Sequence, residues 1–173
     1  GVELLSICLY ILTGFSRRRL ESEESAIKYL LLGALASAFL LYGVALVYGG
    51  TGTTNLACVG RAAGVTGALI GACDGAVAAG AASKALVLVG VGLLIVGLGF
   101  KAALVPFHSW APDVYEGAPT SITAYMSVGV KAAAFATMLR IFLVAFPTFS
   151  PDWSIVLAVV ATLTMVAGNT AAL

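Results

Sequence analysis

The sequence predicts an all-α polytopic membrane protein, a transmembrane helix bundle with one helix broken near Pro106. Composition is the first observation: 61% of the 173 residues are apolar, only 10% are charged, and mean hydropathy is +1.06. A soluble domain carries about 25% charged residues, so charge is too scarce here to cover a water-facing surface. The second is that the apolar residues gather in runs of twenty or more, which at 1.5 Å per helical residue cross a ~30 Å hydrocarbon core. The third is that Ala, Leu, Gly and Val dominate these runs without the ten-residue alternation of a membrane β-barrel. Helices are then the spanning structure that leaves no backbone group unpaired in lipid.

Residues 1–15 read as the tail of a span whose start lies upstream, because the chain opens at Gly1 inside apolar sequence with no visible signal peptide. We therefore expect an internal piece of a longer polypeptide. Residues 25–48 form the clearest span, with one charge near the start. Residues 49–83, rich in Gly, Ala and Thr, are expected to be a connection with room for short helical stretches; were they to cross, the orientation of everything after them would invert. Residues 85–105, 121–146 and 153–173 qualify as spans by length, with loops at 106–120 and 147–152. The cluster Arg17, Arg18 and Arg19 places the first hairpin turn on the cytoplasmic side, and counting crossings puts 49–83 outside and 106–120 inside. Gly33 with Ser37, and Gly129 with Ala133, are small residues at a spacing that lets helices approach closely.

Several functions are excluded. Nine Lys and Arg against eight Asp and Glu give a net charge of +1, with none of the basic surface that nucleic acid selects. Cys8, Cys58 and Cys73 match no zinc or disulfide spacing. No nucleotide, iron-sulfur or haem motif occurs. Asp113 and Glu116 are expected as loop acids lacking the further ligands or the sugar cleft that metal or glycosidic chemistry needs.

The informative residues are charges placed where charge is expensive. Lys131 lies ten residues into its run, beyond easy snorkelling reach, and a central lysine costs roughly 2.5–3.5 kcal/mol to insert. Lys101 precedes Pro106, whose missing N–H frees a carbonyl near residue 102. Such irregular backbone survives in a membrane only where protein or a wet cavity satisfies it. His108, the only histidine, is of the one side-chain type able to exchange a proton near neutrality when unperturbed, and it would lie about 10 Å from Lys101 on the same face if helix persisted; an interfacial histidine beside Trp110 is the alternative. Glu3, about 21 Å from the Arg17 end, must pair with a base or protonate. Lys28 is close enough to the start of its run to snorkel, and Arg140 to the end of its run. Desolvation and like charge favour a neutral lysine whereas a nearby glutamate favours a charged one, so a movable glutamate can load and unload a buried lysine.

The segments ESAIKYLLLGALASAFLLYG, GLGFKAALVPFHSWAPDVYEGAPT and SVGVKAAAFATMLRIF resemble the subunit N (subunit 2) family of NADH-quinone oxidoreductase, respiratory complex I. The resemblance covers nearly the whole chain and is weakest over 50–84 and after 150. It implies a fragment of the antiporter-like fold, a membrane-arm subunit in which quinone reduction elsewhere in the complex drives proton movement. It implies a relay of Glu3, Lys28, Lys101, His108 and Lys131, with Glu3 and Lys101 as the coupling pair. It implies no cofactor in this chain, with NADH, FMN, iron-sulfur clusters and quinone bound by other subunits. The implied partners are the other membrane-arm subunits, the bilayer and protons, in the plasma membrane of a bacterium. Ser121 stands where members often have proline, and Val130 where a small polar residue or proline is common. Family members have about fourteen spans, including a second broken-helix repeat. Multisubunit sodium/proton antiporters and membrane-bound hydrogenases share the PFH-W-P pattern and are the alternative; a structural membrane subunit without an ion path is a second.

Overall fold

In a computed structural model of the protein, the described residues are 1–16, 19–62, 73 and 83–171. They form α1 (Val2–Thr13), α2 (Leu20–Thr51), α3 (Leu56–Ala62), α4 (Lys84–Ala102), α5 (Trp110–Gly117), α6 (Thr120–Tyr125), a π-helical turn (Met126–Val130), α7 (Lys131–Ala145), a 3₁₀ turn (Pro147–Phe149) and α8 (Ser150–Ala171). No strand occurs among the described residues. Among the described residues, four stretches are long and apolar enough to cross a membrane: Leu20–Thr51, Lys84–Ala102, Thr120–Ala145 and Pro147–Thr170. Arg17 and Arg18, which carry the expected orientation, and Leu69, Ile70 and Asp74 lie outside the described residues.

The backbone of the bundle is α2, whose 32 residues contain no proline and rise about 48 Å. Glu21 and Glu23 in its first turn complement the helix dipole. Gly52, in the left-handed region at φ 71°, ends it by donating its N–H to the Tyr48 carbonyl. On one side α1 runs antiparallel to α2. Gly14 lies beside Ala26, the Ser22 hydroxyl donates to the Thr13 carbonyl at 2.9 Å, and the Tyr10 ring seats on Gly33. Gly33 and Ser37 thus serve a close approach, whereas the nearest atoms to a Cβ at Gly129 belong to Tyr125 of its own helical rod.

On the other side α4 runs antiparallel to α2 at backbone contact. A Cβ at Gly90 would lie 3.0 Å from the Gly43 carbonyl, and one at Gly97 would lie 2.6 Å from Leu40 Cβ and 3.0 Å from its Cα. Gly50 meets Val87 and Ser83, so the chain leaves α2 and re-enters α4 at the same end of the bundle. Between them lies the segment 52–83, of which residues 52–62, 73 and 83 are described. It contains α3, capped where Asn55 Oδ1 accepts from the Ala57 N–H. The cysteine expectation is corrected here: Cys58 is disulfide-bonded to Cys73 across 15 residues with Cα atoms 5.7 Å apart, and Cys8 is free. A spacing rule fails for this pair because bridging range depends on where the two Cα atoms lie in three dimensions, not on their separation in sequence.

The broken helix is also corrected in detail. α4 ends at Ala102, earlier than the expected 105, with Ala103 left-handed at φ 56° and the Leu104 N–H turned back to the Gly99 carbonyl. Pro106 has no N–H to extend the ladder, and it biases Val105 away from helical backbone. Helix then resumes as α5 in what was expected to be loop, so Asp113 and Glu116 are helical residues. α5 runs down the N-terminal part of α2, with Gly117 against Glu21 and Ser25. α4 and α5 are two halves of one interrupted path along α2.

Two apolar clusters hold these elements. Leu94, Leu98, Met138, Phe142 and Phe146 join α4 to α7, whereas Leu9, Tyr29, Phe100, Trp110 and Met126 join α1, α2, α4 and α5 to the π-turn. The outward faces keep large apolar side chains exposed, among them Leu31, Leu41, Leu139 and Ile155, as lipid-facing helices do.

Because Gly97 abuts the Leu40 backbone, Gly97→Ala must separate α2 from α4. We expect the full-length protein to lose about 1–3 kcal/mol of stability, read as a lowered thermal midpoint in detergent, while the control Gly92→Ala, where a Cβ meets nothing within 4 Å, leaves it unchanged.

Candidate functional site

Lys101 sits one residue before the end of α4 and is 2% exposed, the one buried charged residue among those described. Its depth follows from the antiparallel pairings. Ser37, near the midpoint of α2, donates its hydroxyl to Glu3 Oε2 at 2.6 Å, and Lys101 Nζ donates to the same oxygen at 3.3 Å. The pair therefore lies near mid-height of the bundle. Lys101 Nζ also donates to Ser6 Oγ at 2.6 Å, and Ser6, itself fully buried, donates its proton to the Val2 carbonyl of α1 at 3.0 Å. An ammonium and a carboxylate removed from water need such partners. Glu3 is about one-third exposed, and it lines an open groove of about 580 Å³ between α1 and α2 with Ile7, Tyr10, Ile27 and Leu30.

The helix break next to Lys101 is supplied with partners by distant elements. Trp110 Nε1 donates to the Phe100 carbonyl at 3.1 Å, and the Val105 N–H donates to Thr164 Oγ1 of α8 at 3.0 Å. His108 falls inside the break, so the same-face argument for it and Lys101 lapses. It is half-buried, and its Nδ1 has no hydrogen-bond partner among the described residues.

Lys131 stands where the π-turn passes into α7, half-buried, with Nζ 5.5 Å from the centroid of the Tyr115 ring. Lys101 Nζ has a matching contact 6.0 Å from the Tyr10 ring. Between these tyrosines runs an unbroken aromatic series. Tyr10 meets Tyr29 edge-on at 4.7 Å, Tyr29 stacks on Trp110 at 4.8 Å, and Trp110 meets Tyr115 edge-on at 6.0 Å. The hydroxyls of Tyr10 and Tyr115 are buried without a partner among the described residues, as is Glu3 Oε1. Buried polar atoms of this kind mark sites for water or for exchanging partners.

Of the five residues expected in one relay, the structure brings Glu3 and Lys101 into contact and links Lys101 to Lys131 through aromatic rings. Lys28 is elsewhere: it is 43% exposed and bonded to Glu24 Oε1 and Asp113 Oδ2, each at 2.7 Å, tying α5 to α2. Arg140 is exposed on α7. Ser6, Tyr10, Tyr29 and Tyr115 carry no signal in the sequence, and Ser37 is marked there only as a small packing residue. Serine and tyrosine are common in membrane helices, and their roles emerge only when three helices are aligned.

These features can be set beside known proteins. The family model described as NADH:quinone oxidoreductase/Mrp antiporter, TM, matches residues 1–173. The chain belongs to this family. A relative from Trichlorobacter lovleyi called NADH-quinone oxidoreductase subunit N is 51% identical over all of this chain and 33% of its own length. The structure of respiratory complex I from Thermus thermophilus contains a chain 45% identical, with TM-score 0.72 over 99% of this chain and 32% of that one. The Mrp complex from Dietzia sp. contains another, 30% identical, with TM-score 0.76 over 96% of this chain and 28% of that one. The chain spans about a third of the length of the relatives it matches. It is a fragment of the antiporter-like membrane subunit fold.

Trp110→Phe keeps the aromatic series but removes the N–H that satisfies Phe100. A buried carbonyl left unpaired costs about 1–3 kcal/mol, so the full-length variant should unfold at a lower temperature by calorimetry.

Proposed function

We propose that this chain is part of a proton-translocating membrane-arm subunit of NADH-quinone oxidoreductase. In this reading quinone reduction in other subunits is coupled to proton movement through Glu3, Lys101, His108 and Lys131. The observation that carries it is the Glu3–Lys101 pair at mid-height, beside a helix break. A carboxylate beside a buried lysine favours its charged form, so a change in that carboxylate's position or charge changes how readily the proton leaves. His108 in the break and Lys131 beyond the aromatic series are the next groups able to accept it. NADH, FMN, iron-sulfur clusters and quinone belong to other subunits in this reading, and Lys28, bonded near the end of α2, serves the entrance or the packing of α5.

The naming of the 51% identical relative and the match to a complex I chain support this assignment over the antiporter alternative. The match to the Mrp complex keeps a multisubunit sodium/proton antiporter as the second reading. Sidedness is supported by two features at opposite ends. The Arg19 turn reads as cytoplasmic, and the Cys58–Cys73 disulfide lies on the connection at the far end, where an oxidising compartment favours it. The plasma membrane of a bacterium fits both.

In the whole complex, Lys101→Ala and Lys131→Ala should leave assembly intact and lower proton pumping at least tenfold, since a positioned proton donor contributes about 10²–10⁴-fold. Pumping would be followed by a pH-sensitive dye in membrane vesicles with NADH and quinone. Normal pumping in either variant refutes the relay. Loss of assembly with normal turnover per assembled complex favours a purely structural subunit, and dependence of activity on sodium favours the antiporter reading.

A further inference from the structure

The contacts around the Glu3–Lys101 pair are unequal in a way that ion-pairing alone does not explain. The two charges are 3.3 Å apart at closest approach, whereas each is 2.6 Å from a serine hydroxyl: Lys101 Nζ from Ser6 Oγ, and Glu3 Oε2 from Ser37 Oγ. Ser6 has its proton committed to the Val2 carbonyl, so toward the lysine it offers lone pairs only. An ammonium has three N–H donors and a neutral amine two, so Ser6 can hold Lys101 in either protonation state. Ser37 donates to an ionised Glu3 and, by rotating its hydroxyl, can accept from a protonated one. Ser6 is fully buried on α1 and Ser37 half-buried on α2, with Lys101 on α4, so the arrangement spans three helices.

We propose that Ser6 and Ser37 are positioning residues, a pair of hydroxyls that keeps Glu3 and Lys101 in register whether the pair is charged or discharged. Without them, a lysine that gave up its proton would lose its only strong partner and swing away, and restoring the pair would require it to be gathered again on every cycle. Ser6 presents its lone pairs to Lys101 in both states without moving, and at Ser37 only the hydroxyl proton turns, so little must reorganise when charge is transferred and the barrier is lowered. This inference rests on the proton-relay reading of the same site.

The test uses the whole complex carrying the full-length subunit, with pumping normalised to assembled complex. Ser6→Ala and Ser37→Ala should assemble and each lose about tenfold in pumping, the size of effect carried by one hydrogen bond to a charged group. Ser37→Thr, which restores a hydroxyl, should recover most of the loss; a shape effect alone would leave Thr no better than Ala. The inference is overturned if both alanine variants pump normally, or if Ser37→Thr is as impaired as Ser37→Ala. Should Ser6→Ala fail to assemble, the two substitutions at Ser37 decide. Lys101→Ala, run in parallel, separates the two readings: normal serine variants beside a dead Lys101→Ala refute the hydroxyl pair and keep the relay, whereas a pumping Lys101→Ala removes both.

Discussion

An ammonium group near the middle of an apolar bundle is the constraint to which the surrounding structure answers. Lys101 is almost wholly buried, and its hydrogen-bond partners Glu3 and Ser6 both come from α1 rather than from its own helix. Glu3 and Ser6 occupy one face of α1, three residues apart, and Ser37 holds the carboxylate from α2. Small residues on α2 and α4 make the meeting possible. Gly33 admits the Tyr10 ring, and Gly43, Gly90 and Gly97 allow α2 and α4 to touch backbone to backbone. Between lipid-immersed helices the hydrophobic effect contributes little, so close packing and hydrogen bonds must do the joining.

The interruption of α4 serves the same end. A lysine in mid-helix would be surrounded by its own continuous turn, but Lys101 lies where the helix stops and the chain bends through Ala103 into α5. Two backbone groups at that bend, the Phe100 carbonyl and the Val105 N–H, are bonded to Trp110 of α5 and Thr164 of α8. Irregular backbone at depth is thus enclosed by protein, as the absence of water in a bilayer requires. The break also carries His108, half-buried, whose Nδ1 has no hydrogen-bond partner among the described residues.

Trp110 connects the two themes. Its indole N–H closes the break, and its faces and edges continue the ring series from Tyr10 and Tyr29 to Tyr115, under Lys131. The rings offer their negative faces to both lysines, a weak attraction for the charged form. The Tyr10 and Tyr115 hydroxyls add polar atoms at either end of an otherwise apolar wall. The two lysines therefore share one packed interior with polar groups along it.

Much of this was legible in the residues themselves. Run length and scarcity of charge determined a bundle of membrane helices, because the thickness of a bilayer and the cost of an unpaired backbone group leave a chain little choice. Pro106 announced the break, and the expense of Lys101, Lys131 and Glu3 in apolar runs marked them for a role. The start of the break at Ala103, the helix through Asp113 and Glu116, the removal of Lys28 to a pair of surface carboxylates, and the Cys58–Cys73 bond were decided only in three dimensions. So was the bracketing of Glu3 and Lys101 by Ser37 and Ser6. The physical reason is that burial and hydropathy act along a single helix, where sequence neighbours define them, whereas a hydrogen bond depends on how helices distant in sequence align.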